Sequence, residues 1–121
     1  MKKRTVILIF IIMSLSITIY YYFALFGHKR VHKFEVVDFS VSKKDSLIPY
    51  INKGYSTQII KINGNVDDTI RIKGFYGNSI YLTGNIDKEY YIEYYGGTPA
   101  FMSFEPYKAK KGKLKIKHII K

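Results

Sequence analysis

Ile62-Asn63-Gly64-Asn65-Val66-Asp67-Asp68 recurs twenty residues later as Leu82-Thr83-Gly84-Asn85-Ile86-Asp87-Lys88. In each copy, Gly-Asn and an aspartate bracket one apolar residue. An alternating strand follows each: Ile70-Arg71-Ile72 after the first, Tyr90-Tyr91-Ile92 after the second. Glycine and asparagine tolerate left-handed backbone, and aspartate bonds nearby backbone, so each segment reads as a strand end and a turn. Val66 and Ile86 then read as plugs of an apolar interior. Two related hairpins, facing or adjacent, account for the repeat. Asn65, Asp67 and Asp68 carry oxygens of the calcium-binding type. Such a site takes about six to eight ligands, and the Asp-x-Asp-x-Asp-Gly spacing is missing, so turn chemistry is the reading adopted.

The period of two extends on both sides of the repeat. Alternation or a short apolar run marks 34–41, 55–62, 69–73, 79–83, 90–95, 100–105 and 112–121. Within the last, Leu114, Ile116, His118 and Ile120 face one way, and Lys113, Lys115, Lys117 and Ile119 the other. That makes about seven short strands with Gly, Asn, Asp or Pro between them. The expected fold is all-β: a small antiparallel sandwich or partly open barrel, preceded by one N-terminal transmembrane helix. The stretch 44–52, with Pro49 inside it, reads as loop.

Residues 5–26 carry no charge, and about 20 apolar residues span a bilayer as a helix. A secretory signal has a shorter apolar region and a small-residue cleavage site, whereas Ala24-Leu25-Phe26-Gly27 does not fit A-x-A. The segment therefore reads as an uncleaved signal anchor. Tyr20, Tyr21, Tyr22 and Phe23 sit where aromatic rings favour the headgroup level. Ser14, Ser16 and Thr18 read as bonding their own helix backbone. The organisation is 1–26 signal anchor, 27–33 basic juxtamembrane linker and 34–121 β-rich domain. A seven-residue linker reaches about 23 Å at most, so the domain stays close to lipid.

The chain has 121 residues, a net charge of +11 and no cysteine. Absence of cysteine excludes a disulfide framework, a thiolate metal site, a cysteine nucleophile and a lipidated cysteine. The charge is unevenly placed: 35–107 carries seven basic and nine acidic residues, while 108–121 carries seven lysines and no acid. Lys29, Arg30, Lys33, Lys113, Lys115 and Lys117 are the candidate contacts to an anionic surface. For Lys113, Lys115 and Lys117, protection of a free sheet edge together with loose attraction to anionic lipid is favoured. Basic residues flank the apolar run on both sides, so charge alone barely orients it. The short basic start ahead of a signal-like run points to N-in, C-out.

Aromatic load is the other feature, with 12 tyrosines and 8 phenylalanines. Tyr90, Tyr91, Tyr94 and Tyr95 fall on both faces of one strand, so one face exposes rings. Tyr91, Tyr95, Phe101 and Tyr107 are the candidate ligand or partner surface. The alternative is cross-strand pairing that stabilises the sheet. No catalytic set is visible, since His118 reads as a partly buried core histidine and nothing pairs Glu93 with Glu105. His28 and His32, four apart without a carboxylate neighbour, make a weak metal pair. No enzyme activity, cofactor or metal is expected.

The function expected is a non-catalytic membrane-tethered binding or scaffold module in a bacterial inner membrane, its domain extracytoplasmic. Membrane lipid is the first partner, another envelope protein a second, and nucleic acid is not expected. Two alternatives stand beside it. One is a secreted or periplasmic carbohydrate-type binding protein released by cleavage near residue 26; the other is an accessory subunit of an envelope complex.

Overall fold

The computed structural model describes residues 2–26, 28–75 and 77–121, with the side chains of all but 23–26 and 75. The ring of Phe23 and the whole of Gly27 thus lie outside the described residues. Helix α1 spans Lys3–Phe26, and its Lys3–Tyr22 stretch is long and apolar enough to cross a membrane. None of that stretch is covered by protein. Ser16 and Thr18 donate their hydroxyls to the carbonyls of Ile12 and Ser14, 2.9 Å in each case. The hydroxyls of Ser16 and Thr18 are thus satisfied within the helix, as read.

Six strands follow: β1 (Arg30–Val36), β2 (Lys43–Leu47), β3 (Thr57–Phe75), β4 (Asn78–Glu93), β5 (Ala100–Glu105) and β6 (Gly112–Ile120). They form one antiparallel sheet in the order β1-β6-β3-β5-β2, with β4 on the other side of β3. The sheet curls into a nearly closed, partly open barrel. Six strands replace the seven expected, for two reasons. Segments 55–62 and 69–73 are one continuous β3, and 79–83 and 90–95 are one continuous β4. Residues 43–47, read largely as loop, form β2 because they pair with β5 from Lys43↔Phe104 to Leu47↔Ala100.

The two copies of the repeat pair with each other. Asn65 stands opposite Asn85, Gly64 opposite Ile86, and Val66 opposite Gly84. Each apolar plug thus faces the glycine of the other copy, and both Val66 and Ile86 are buried as read. The turn expected there is instead a corner of a two-stranded ribbon. Past Val66↔Gly84 the register slips, and pairing resumes at Ile70↔Leu82. Asp67, Asp68 and Thr69 therefore oppose Thr83 alone, a bulge that bends the strand. Turn and corner use the same chemistry, glycine with φ above zero and aspartate bonding backbone, but here the backbone stays in the ladder. The bulge is satisfied by the β5–β6 loop: Asp67 Oδ1 accepts the N–H groups of Lys110 and Lys111 at 2.9 and 3.0 Å. The Asp67 N–H donates to the Lys111 carbonyl.

Folding the ribbon in half encloses the main core, which includes Val36, Ile60, Ile62, Ile70, Ile72, Phe104, Leu114 and Ile116. A second cluster of Leu47, Tyr55, Tyr94, Ala100 and Ile120 fills the opposite end of β6. Because β1 begins at Arg30, residues 30–33, expected in the linker, are strand, and only residues 27–29 separate helix from sheet. The reason is their pairing with β6, from Arg30↔Ile120 to Lys33↔Lys117. The domain end holding Tyr55 and Ile120 is thus the end nearest the helix.

Candidate functional site

Outward-facing side chains of β1, β6, β3 and β4 fall into cross-strand rows. The register places Lys33 opposite Lys117, and Lys117 opposite Lys61. Lys61 faces Glu89 in turn, their charged ends 3.4 Å apart. The next row toward the corner is Glu35, Lys115, Asn63 and Asp87. Lys113, opposite Asn65, continues the stripe. Between the rows runs a groove of about 530 Å³ whose walls include Lys33, Lys61, Lys115, Lys117, Glu35 and Asn63.

Like charges directly opposite one another weaken a sheet. The Lys117 ammonium feels this: the charge of Lys33 first, then burial, then Lys61 and Lys29 hold its pKa below the usual lysine value. Among the described residues neither Lys33 nor Lys117 forms an ion pair. The edge-protection reading of Lys113, Lys115 and Lys117 does not hold. β6 is hydrogen-bonded on both sides, to β1 and to β3, so it has no free edge to protect. Lys29, exposed just before β1, acts on the same row through its charge. Arg30 turns elsewhere, its guanidinium 4.7 Å from the Tyr50 ring centroid. A row of ammonium groups, each with three N–H donors, suits phosphate or carboxylate oxygens. Lys61 was missed in the sequence: its outward position follows from Ile60 and Ile62 on either side, but its place beside Lys117 needs the register.

The four aromatic candidates are not brought together. Tyr91 stands opposite Ile59 and donates its hydroxyl to Glu89 at 2.6 Å. Tyr95, just past β4, donates to Glu93 at 3.1 Å. Phe101 faces Ser46 across β5 and β2. Tyr107 lies at the corner end, its ring 5.4 Å from that of Tyr81 and its face toward Arg71 and Lys108. All four are exposed, and they belong to β4, the segment after it, β5 and the β5–β6 loop respectively.

From the barrel interior at His118 to its half-exposed rim at His32, a polar chain links five strands. His32 and His118 are direct cross-strand neighbours, and both turn Nδ1 toward Asp45 of β2, at 2.9 and 2.6 Å. Gln58 lies 2.8 Å from His118 Nε2 and donates to the Phe101 carbonyl at 3.1 Å. With both amide hydrogens of Gln58 given away, His118 Nε2 accepts and its Nδ1–H donates to the carboxylate. Burial drives the His118 pKa below the usual value, outweighing the pull of Asp45, so the ring is neutral. Burial alone raises Asp45, but bonds from His118 and His32 outweigh it and bring the carboxyl below the ordinary range. His118 is in the core, and fully buried rather than partly buried as its strand position implied. The partner missed in the sequence is Asp45. His28 takes another route, packing edge-on against Tyr55 at 5.1 Å. Among the described residues no group of three or more histidines and acids is placed to hold a metal. Glu93, Glu105 and His118 do not converge: Glu105 pairs with Arg71 and Lys73, and Glu93 accepts from Tyr95.

No family model and no curated protein matches the chain. Among solved structures it is similar to a de novo designed double-stranded beta-helix solved by solution NMR, at 15% identity and a TM-score of 0.45. That match covers 74% of this chain and 97% of the designed one.

Proposed function

We propose that the chain is a non-catalytic, membrane-tethered module whose β domain holds a lysine groove against anionic groups of the membrane surface. Helix α1 is the anchor, N-in and C-out, with the domain extracytoplasmic at the inner membrane. The observation that carries this reading is the row Lys33–Lys117–Lys61. It weakens the sheet, protects no edge and is left without compensating acid at two of its three members. Such a cost makes sense where an anion from outside completes the row.

Distance fits the assignment. Lys33 lies three residues beyond Arg30, about 10 Å along a strand from the start of the domain. That is close to the Debye length of about 8 Å at physiological ionic strength, within which a charged surface is felt.

The test is amine acylation mapped by mass spectrometry on the full chain reconstituted in vesicles. With phosphatidylglycerol present, Lys33, Lys61 and Lys117 should react several-fold more slowly than in pure phosphatidylcholine, while Lys44, outside the groove, should not change. Equal rates in both vesicles would reject the groove as the binding face.

A further inference from the structure

The loop between β2 and β3 carries large apolar side chains that the fold leaves uncovered. Ile48, Tyr50 and Ile51 are exposed, Ile51 at 87%. Ile51 and Asn52 form the turn at its tip, and Asn52 adopts a φ of 60°, a left-handed conformation that asparagine tolerates. The loop is not loose at its base. Tyr55 is buried at 6% exposure, its ring packed edge-on against His28 and Tyr94. Its hydroxyl donates to the His28 carbonyl at 2.7 Å and accepts the Tyr50 N–H at 3.0 Å. One hydroxyl therefore joins the loop backbone to a residue two positions beyond the last residue of α1.

This tie decides what lies against the loop. Two residues of chain span about 7 Å at most, so the loop is held beside the point where the helix leaves its apolar stretch. Arg30 covers the Tyr50 ring, Lys53 closes the loop in sequence, and Lys29 follows His28 directly. Exposed isoleucine and tyrosine with an arginine over one ring and lysines close in sequence match the boundary between acyl chains and anionic headgroups. Tyr95, exposed on the loop after β4, belongs to the same end, since Gly96 approaches the Tyr55 ring.

From this we infer that the 48–53 loop is a second membrane contact, its tip at Ile51 inserted into the lipid interface beside the anchor. The inference rests on the anchor reading of α1 and adds what that reading does not contain: a fixed domain orientation, with the second core cluster facing lipid and the corner end away from it.

The chain has no tryptophan, so single substitutions give clean reporters. Ile51→Trp, Phe10→Trp and Tyr107→Trp would each be made in the full chain and reconstituted in phosphatidylcholine vesicles with a minority of phosphatidylglycerol. Quenching by lipids spin-labelled near the headgroup or near the acyl terminus is then read for each. Ile51→Trp should be blue-shifted and quenched several-fold more by the shallow label than by the deep one. Tyr107→Trp should emit as a water-exposed ring. If Phe10→Trp is quenched by lipid while Ile51→Trp stays water-exposed, the anchor stands and the loop inference is overturned. If neither is quenched, the anchor reading fails and the loop inference falls with it.

Discussion

His118 Nδ1 lies 2.6 Å from Asp45 Oδ2, and this contact joins β6 to β2 across the inside of the barrel. Neighbours in the hydrogen-bonded ladder are β1 with β6, and β2 with β5, so β1 and β2 are the two free ends of the path. Asp45 reaches both histidines of the β1–β6 pair and so bridges the opening that the ladder leaves.

Acid should open that seam. An unfolded His118 takes up its proton near the ordinary 6.5, while burial delays protonation in the native state. Below that pH the unfolded chain binds more protons, so stability is present above it and is lost as pH falls. Asp45 adds a second loss of the same sign, since its native pKa lies under the ordinary 3.8. Denaturation midpoints measured from neutral pH downward should fall first below about pH 6.5 and again below about pH 4. A midpoint that holds steady across the first window would contradict a buried neutral His118.

Removing the bridge should cost more than its exposure suggests. Asp45→Ala leaves the Nδ1–H of a fully buried His118 without an acceptor. The expected loss is about 1–3 kcal/mol by chemical denaturation. Asp45→Asn keeps one acceptor oxygen and should lose less.

The repeat allows a sharper comparison. A Cβ at Gly64 would sit 2.0 Å from the Lys113 carbonyl oxygen, backbone that cannot step aside, and φ there is 144°. At Gly84, with φ of 73°, nothing lies within 4 Å. Gly64→Ala should therefore cost about 4 kcal/mol or more, or abolish folding. Gly84→Ala should cost only its left-handed strain, about 1–2 kcal/mol. Equal losses would mean that β3 and β6 are less closely apposed at the corner than their register requires.

Lysine 117 separates stability from binding. Lys117→Gln removes a charge held opposite Lys33 and Lys61. Thermal unfolding should shift upward at low ionic strength, and the gain should vanish at high salt as like-charge repulsion is screened. The same substitution should weaken the protection of Lys33 and Lys61 by anionic vesicles. A variant that loses both stability and protection would mark Lys117 as a packing residue.

Much of this was legible from alternation. The inward set Leu114, Ile116, His118 and Ile120 is buried, because a strand of period two sorts its side chains before any partner is known; Ile119, read on the lysine face, is buried as well, so the sorting fails at the end of β6. Val66 and Ile86 were legible as plugs because each is the one apolar residue bracketed by Gly-Asn and aspartate in its copy of the repeat. β2 was not: Lys43-Lys44-Asp45-Ser46-Leu47 has no apolar alternation, and its strand form comes from pairing with β5. The corner was hidden because Gly-Asn and Asp serve a turn and a bulged bend equally well. The sites depend on longer reach. Asp45 is 73 positions from His118, and Lys61 meets Lys117 only once β3 and β6 are in register. Periodicity states which face a residue takes and leaves its neighbour across the sheet undetermined.

Tethering of the domain at the membrane surface by α1 can be read by site-specific labelling. The chain lacks cysteine, so Lys2→Cys and Lys88→Cys each introduce a single thiol, the second on an exposed β4 position. In spheroplasts treated with a membrane-impermeant maleimide, Lys88→Cys should label in intact membranes and Lys2→Cys only after permeabilisation, with the full chain recovered in the membrane fraction. Recovery of a soluble product lacking the first 26 or so residues would rule out the tether, and the reverse labelling pattern would rule out an extracytoplasmic domain.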